Sequence, residues 1–162
     1  MQYYLKMALF GEMDKMREER VTKEIIKYLN NNNWFIFSYD FPQSGTGILI
    51  KQDNSNEKNK DSIIPDIIAI KDNTSIFFEN KDRIVTSDFE KVNSLIVDNK
   101  YINNIKKLLC DYKISNYYYG IGLPDNINIQ KLDLLKEKTD FILLVDKEYS
   151  VRVYYDNKKI FN

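Results

Sequence analysis

Histidine is absent from the chain, and cysteine occurs once, at Cys110. Without imidazole there is no Ser-His-Asp hydrolysis, no His-based zinc centre and no nuclease that works with a His base. A single cysteine makes neither an internal disulfide nor a Cys-rich zinc site, which fits a reducing, cytoplasmic setting. Cys110 sits in an apolar helical run and is expected to be a buried packing residue. Charge of one sign is also missing, because 24 Lys and Arg balance 24 Asp and Glu. No global basicity announces a nucleic-acid partner, so any such binding has to come from a local patch. No apolar run reaches the length of a membrane-spanning helix, and "MQYYLKMALF" lacks the basic lead and small-residue cleavage site of a signal peptide. Neither a membrane partner nor an internal repeat is expected.

What is present is a chain of 162 residues, 43% hydrophobic and 14% aromatic. That suits one globular domain, residues 1–162, with a sizeable core. Any catalyst in it must work with carboxylates, Lys, Ser, Thr or Tyr. Carboxylates and water are the ligands of hard cations such as Mg²⁺.

Hydrophobic periodicity orders the elements. Glu12 to Asn30 reads as an amphipathic helix, with Met13, Met16, Val21, Ile25, Tyr28 and Leu29 on one face, and the asparagine run to Asn33 stops it. Trp34 to Asp40 is a strand; "FPQSGTG" breaks it, and "ILIK" is a possible short strand. The polar segment Asp53 to Asp61 is a surface loop. Two strands follow, "IIPDIIAIK" and "TSIFFENK", then a helix from Asp88 to Cys110 with a possible kink at Asn99. "NYYYGIGL" is a strand, "PDNINIQKLDLLKEK" a helix starting at Pro124, and "FILLVDKEYSVRVYY" a hairpin. Its tyrosines suit either a subunit interface or packing on the domain's own core. The order describes an α/β domain with a mixed sheet flanked by helices.

The stretch "IIPDIIAIKDNTSIFFENKD" places Asp66 and Glu79 in otherwise apolar strands. Asp72 and Asn73 tolerate positive φ, so a two-residue turn pairs Lys71 with Thr74. Counting back sets Asp66 opposite Glu79. Alternation puts Lys81 on the face of Glu79 and turns Asn80 away. Opposed like charges are unfavourable unless a divalent cation lies between them. Lys81 would add a cation or, with a depressed pKa, a base beside the attacking water. Such a group can polarise a phosphate oxygen and activate water.

These residues, "PDIIAIKDNTSIFFENK", resemble the signature of the PD-(D/E)xK nucleases, the restriction-endonuclease-like superfamily. The resemblance covers roughly Glu12 to Leu123 and implies an αβββαβ core, here followed by a C-terminal hairpin. It implies Asp66 and Glu79 as ligands of Mg²⁺, with Mn²⁺ as substitute, a contribution from the Asn80 backbone carbonyl, and Lys81 orienting or activating the attacking water. Many members add a Glu from the first helix. "KMREERVTKEIIKYLNNNNWFIF" also looks like the opening of Holliday-junction resolvases. Glu18 shares a face with Val21 and Ile25 and is the expected contributor; Glu12, Glu19 and Glu24 are alternatives. Ser44, in "PQSGTG", and Arg83 and Lys91, beyond the motif, are the expected phosphate contacts. The Asp53 to Asp61 insertion departs from the compact resolvase pattern and favours a restriction-type enzyme on duplex DNA. Cutting both strands of a symmetric target implies a homodimer. A junction resolvase and a non-catalytic DNA-binding subunit on the same fold are the alternatives.

Overall fold

The computed structural model describes residues 16–55 and 61–162. Glu12, Met13 and most of the polar loop lie outside these residues. Helix α1 spans Glu18–Asn31, and its acidic first turn, Glu18 and Glu19, complements the helix dipole. Asn33, at φ 64, takes the left-handed turn that ends it, and the Asn32 amide donates to the Tyr28 carbonyl at 2.7 Å. Strands β1 (Phe35–Tyr39), β2 (Ile67–Lys71) and β3 (Thr74–Asn80) follow. Then come α2 (Thr86–Asp98), α3 (Ile102–Leu108) and β4 (Asn116–Pro124). Helix α4 (Ile129–Leu135), a 3₁₀ turn (Lys136–Lys138), β5 (Phe141–Val145) and β6 (Val151–Asp156) complete the described chain.

The six strands form one mixed sheet in the order β1-β2-β3-β4-β5-β6. β3, β4 and β5 run parallel; the other three pairings are antiparallel. Parallel neighbours need crossovers, and the α2–α3 and α4 segments supply them. Both crossovers lie on one face, where Phe89, Val92, Ile105 and Leu132 cover Phe77 and Ile121. Helix α1 covers the other face, where Val21, Ile25 and Leu29 meet Ile67, Phe78 and Phe141. Burial on both faces explains why β2 and β5 read as continuous apolar runs rather than alternating ones. Gly120 and Gly122 are spacers in this packing. A Cβ on Gly120 would lie 2.3 Å from the Phe141 ring, and one on Gly122 would lie 2.3 Å from Ile25 Cδ1. The glycines of "YYYGIGL" therefore let β5 and α1 approach β4.

The structure corrects several local expectations. "ILIK" contributes only an isolated bridge, Ile50 to Ile63. "IIPDIIAIK" is not one strand, because Pro65 has no N–H and splits the Ile63 bridge from β2. Asn99, left-handed at φ 55, separates two helices rather than kinking one. Cys110 lies in the turn after α3 and is exposed, not buried. Pro124 ends β4 opposite Val145, and α4 starts later, where the Asn128 side chain caps the Lys131 N–H at 3.0 Å. Of the C-terminal tyrosines, Tyr154 and Tyr155 pack on their own domain, while Tyr149 is exposed. Tyr154 donates to Asp133 of α4, and Lys136 lies over the Tyr155 ring.

Candidate active site

The β2–β3 hairpin has the expected register, with Lys71 opposite Thr74 and Ile67 opposite Phe78. Asp72, at φ 52, supplies the positive φ of the turn. One step beyond the paired residues, the Asp66 N–H donates to the Phe78 carbonyl at 2.9 Å. Phe78 is already the partner of Ile67, so the ladder slips here as in a bulge, and the one-to-one pairing of Asp66 with Glu79 expected from the turn is not reached. The Asp66 carboxylate accepts from the Asn80 N–H at 2.6 Å. Phe77 belongs to the face covered by α2 and Phe78 to the face covered by α1, so alternation sends Glu79 toward α2 and Asn80 toward α1.

Lys81 follows the strand, anchored by its N–H to the Gly122 carbonyl at 3.0 Å. Its ammonium lies 3.2 Å from Glu79 Oε1 and 3.9 Å from Glu18 Oε2. The Lys91 ammonium, from α2, reaches the other Glu79 oxygen at 3.2 Å. Strand end, α1 and α2 thus converge on a chain of ion pairs, Glu18–Lys81–Glu79–Lys91, with Asp66 beside it.

The electrostatics follow from partial burial of several acids around two amines. Burial raises the Asp66 carboxyl; the Asn80 N–H opposes it, Glu79 and Glu18 add to it, and the pKa is pushed up to about 7. Burial also raises Glu18, against the pull of Lys81. For Lys81, burial alone would lower the pKa, but Glu79, Glu18 and Asp88 together outweigh it and raise it. Lys81 is therefore held as a cation and not as the depressed amine a general base requires. Asp88, in the first turn of α2, is itself raised by burial and interacts with Lys81, Glu79 and Lys91. The sequence marks Asp88 only as a helix start; its place one turn into the helix after the Glu-x-Lys strand is the signal that could have found it.

The other expected residues fall elsewhere. Glu19 pairs with Lys23 at 3.0 Å. Glu24 is buried beneath Arg20 and Lys27, at 3.2 Å from each. Of the four glutamates expected as candidates, Glu12 lies outside the described residues, and Glu18 is the one among the described three that reaches Lys81. Ser44 sits in the loop after β1, which leaves the sheet beside the site: the Asp40 N–H donates to the Asp66 carbonyl at 2.9 Å. Its hydroxyl donates to Asp40 at 3.1 Å and accepts from the Phe41 N–H at 3.0 Å, while the Gly47 N–H also donates to Asp40 at 3.0 Å. Asp40, to which the sequence pattern assigned no role, organises this loop. Arg83 is exposed just past the motif. Lys91, expected at a phosphate, is bound to Glu79.

Among the described residues, no group of three or more His, Cys, Asp and Glu side chains is placed to hold a metal ion. Mg²⁺ commonly takes only one or two carboxylates and keeps several waters. Asp66, bound by the Asn80 N–H, and Glu79, bound by Lys81 and Lys91, are the two carboxylates at the hairpin end. Burial is the main cause of the raised Asp66, Glu18 and Asp88 carboxyls, and neighbouring acids add to it.

No protein-family model matches the chain, and no curated protein matches its sequence. No helix among the described residues is long and apolar enough to cross a membrane.

Proposed function

We propose that this chain is a Mg²⁺-dependent endodeoxyribonuclease of the PD-(D/E)xK type, cutting duplex DNA as a homodimer in the cytoplasm. The observation that carries this reading is the hairpin end. The Asp66 carboxylate accepts from the Asn80 N–H at 2.6 Å, next to Glu79 in the chain, and the Lys81 ammonium lies 3.2 Å from Glu79. The layout supports it: α1, an antiparallel β1-β2-β3 meander, α2 on the opposite face and a parallel β4 follow the order of a restriction-endonuclease-like core.

Asp66, Glu79 and the Asn80 carbonyl would hold Mg²⁺, with Mn²⁺ as substitute. When bound, the ion neutralises charge on the scissile phosphate and makes water a stronger nucleophile. The chain's own residues do the rest. Asp66, whose carboxyl pKa is pushed by burial up to about 7, would have to be ionised to serve as a ligand. Lys81, kept charged by Glu79 and Glu18, donates hydrogen bonds to the attacking water and to the anionic phosphate. Lys91 holds the second Glu79 oxygen at 3.2 Å. Ser44, in the loop after β1, and Arg83, just past the motif, would be the contacts to neighbouring phosphates. With zero net charge, affinity rests on such local contacts and falls with salt.

The test is incubation with supercoiled plasmid, linear duplex and a four-way junction, each with Mg²⁺, Mn²⁺ or a chelator. Divalent-dependent nicking and linearisation, abolished by Asp66→Asn, is expected. Preference for the junction over duplex would make the enzyme a resolvase. Intact DNA in every lane, with protein that melts cooperatively, would sink the catalytic reading.

A further inference from the structure

Asn80 stands between the two motif side chains, and the proposed metal site uses only its backbone. Its side chain is 0% exposed. The amide Nδ2 donates to Thr22 Oγ1, on α1, at 3.0 Å, and Thr22 is 1% exposed. Thr22 lies one helical turn after Glu18, on the same face of α1. The Asn80 backbone N–H holds Asp66 at 2.6 Å. One residue thus touches the hairpin acid through its backbone and the helix of the distal acid through its side chain.

Two further features single out this bond. Among the described residues, Arg17 at the start of α1 makes no side-chain cap hydrogen bond. The apolar contacts of Val21, Ile25 and Leu29 hold α1 on the sheet but are non-directional. A buried hydrogen bond is directional, and leaving either partner unpaired is costly. Gly122 makes room for it: a Cβ there would lie 2.3 Å from Asn80 Oδ1. The Glu18–Lys81 separation, 3.9 Å, is at the outer edge of an ion pair, so a shift of about an ångström in α1 would break it.

We propose that the Asn80–Thr22 hydrogen bond is a positioning latch that sets Glu18 of α1 against Lys81 of the hairpin. Asn80 and Thr22 are positioning residues: they act through Glu18 and Lys81. The kinetic part of the test rests on the nuclease reading; the labelling part does not.

The latch is tested with Thr22→Val, which keeps the shape and removes the hydroxyl, and Thr22→Ser, which restores it. The primary readout is the rate at which an acetylating ester modifies Lys81, resolved by peptide mass spectrometry with Lys138 as internal reference. Thr22→Val is expected to raise Lys81 labelling several-fold, and Thr22→Ser to return it to the wild-type rate. Glu18→Gln should raise it equally, and Thr22→Val should add nothing in the Glu18→Gln background, because both changes remove one interaction. On DNA, kcat should fall at least about tenfold with KM nearly unchanged. If Thr22→Val fails to fold, Thr22→Cys replaces it. Unchanged Lys81 labelling in a folded variant, or additive effects with Glu18→Gln, overturns the latch. Altered labelling in a protein that cuts no DNA would leave the latch standing and remove the nuclease reading.

Discussion

Replacing Asp66 by Asn should stabilise the metal-free protein at alkaline pH and leave it nearly unchanged in acid. In the folded chain the carboxyl is raised from 3.8 to about 7. Between those values the folded state keeps a proton that the unfolded state has released, so stability falls as pH rises. The slope for one such group is about 1.4 kcal/mol per pH unit. Over the interval the loss sums to about 4 kcal/mol, and it is constant above about pH 7. Asn carries no charge at any pH, matches Asp in size, and offers a carbonyl to the Asn80 N–H that Asp66 now accepts at 2.6 Å. Glu18 and Asp88, raised as well, titrate in both proteins and largely cancel in the difference. Urea unfolding at intervals from pH 4 to pH 8.5, with chelator present, measures it directly. The two stability curves should meet near pH 4 and diverge to about 4 kcal/mol at pH 8, or roughly 8–16 °C in Tm for a chain of this size. Added Mg²⁺ should then lift the wild type by about 2.7 kcal/mol at a hundred times its Kd and leave the variant unmoved. Parallel curves for the two proteins, without divergence above pH 5, would refute the argument that Asp66 is a shielded acid among like charges.

Three further outcomes follow from the same geometry. Lys81→Met removes the amine shared by Glu79 and Glu18; single-turnover cleavage should fall by about a hundredfold or more while circular dichroism stays unchanged. Gly120→Ala sets a methyl 2.3 Å from the Phe141 ring and 2.4 Å from its carbonyl oxygen, and should cost about 1–3 kcal/mol by thermal melt; an unaltered melt would mean that β4 and β5 can part freely. Asp53→Ala removes the carboxylate that accepts from the Asn103 and Asn104 N–H groups at 3.0 and 2.9 Å. It should cost about 1 kcal/mol and speed amide exchange across α3.

The site has a consistent logic. Burial makes it costly for Glu18, Asp66 and Asp88 to be ionised together at this strand end. The chain uses Lys81 and Lys91 as internal counter-ions and lets Asp66 hold a proton up to near neutrality. A cation entering between Asp66 and Glu79 would compete with both amines and with that proton. Loading is therefore expected to release a proton near pH 7, which is measurable as a buffer-dependent heat of Mg²⁺ binding.

The hairpin is legible in the amino-acid sequence because its information is local. Asp72 and Asn73 accept positive φ, side chains alternate with period two, and together they fix which residues oppose one another over a few ångströms of chain. The amphipathic face of α1 and the α/β order are legible for the same reason. Helix boundaries are less so. Pro124 looks like a helix start, but pairing with Val145 draws it into the sheet, and a tertiary ladder outweighs a local preference. The direction of the Lys81 shift is hidden because it depends on Glu18 and Asp88, acids carried in by two different helices. The contact of Asn80 with Thr22 spans 58 residues, and nothing in either segment announces it. Turn chemistry and alternation, being short-range, determine that two acids and an amine share a strand end. Which helices are brought to that end, and so whether the amine stays charged and the acid stays protonated, depends on the packing of α1 and α2 on opposite faces of the sheet, because Coulomb and desolvation energies follow distances in space and not along the chain.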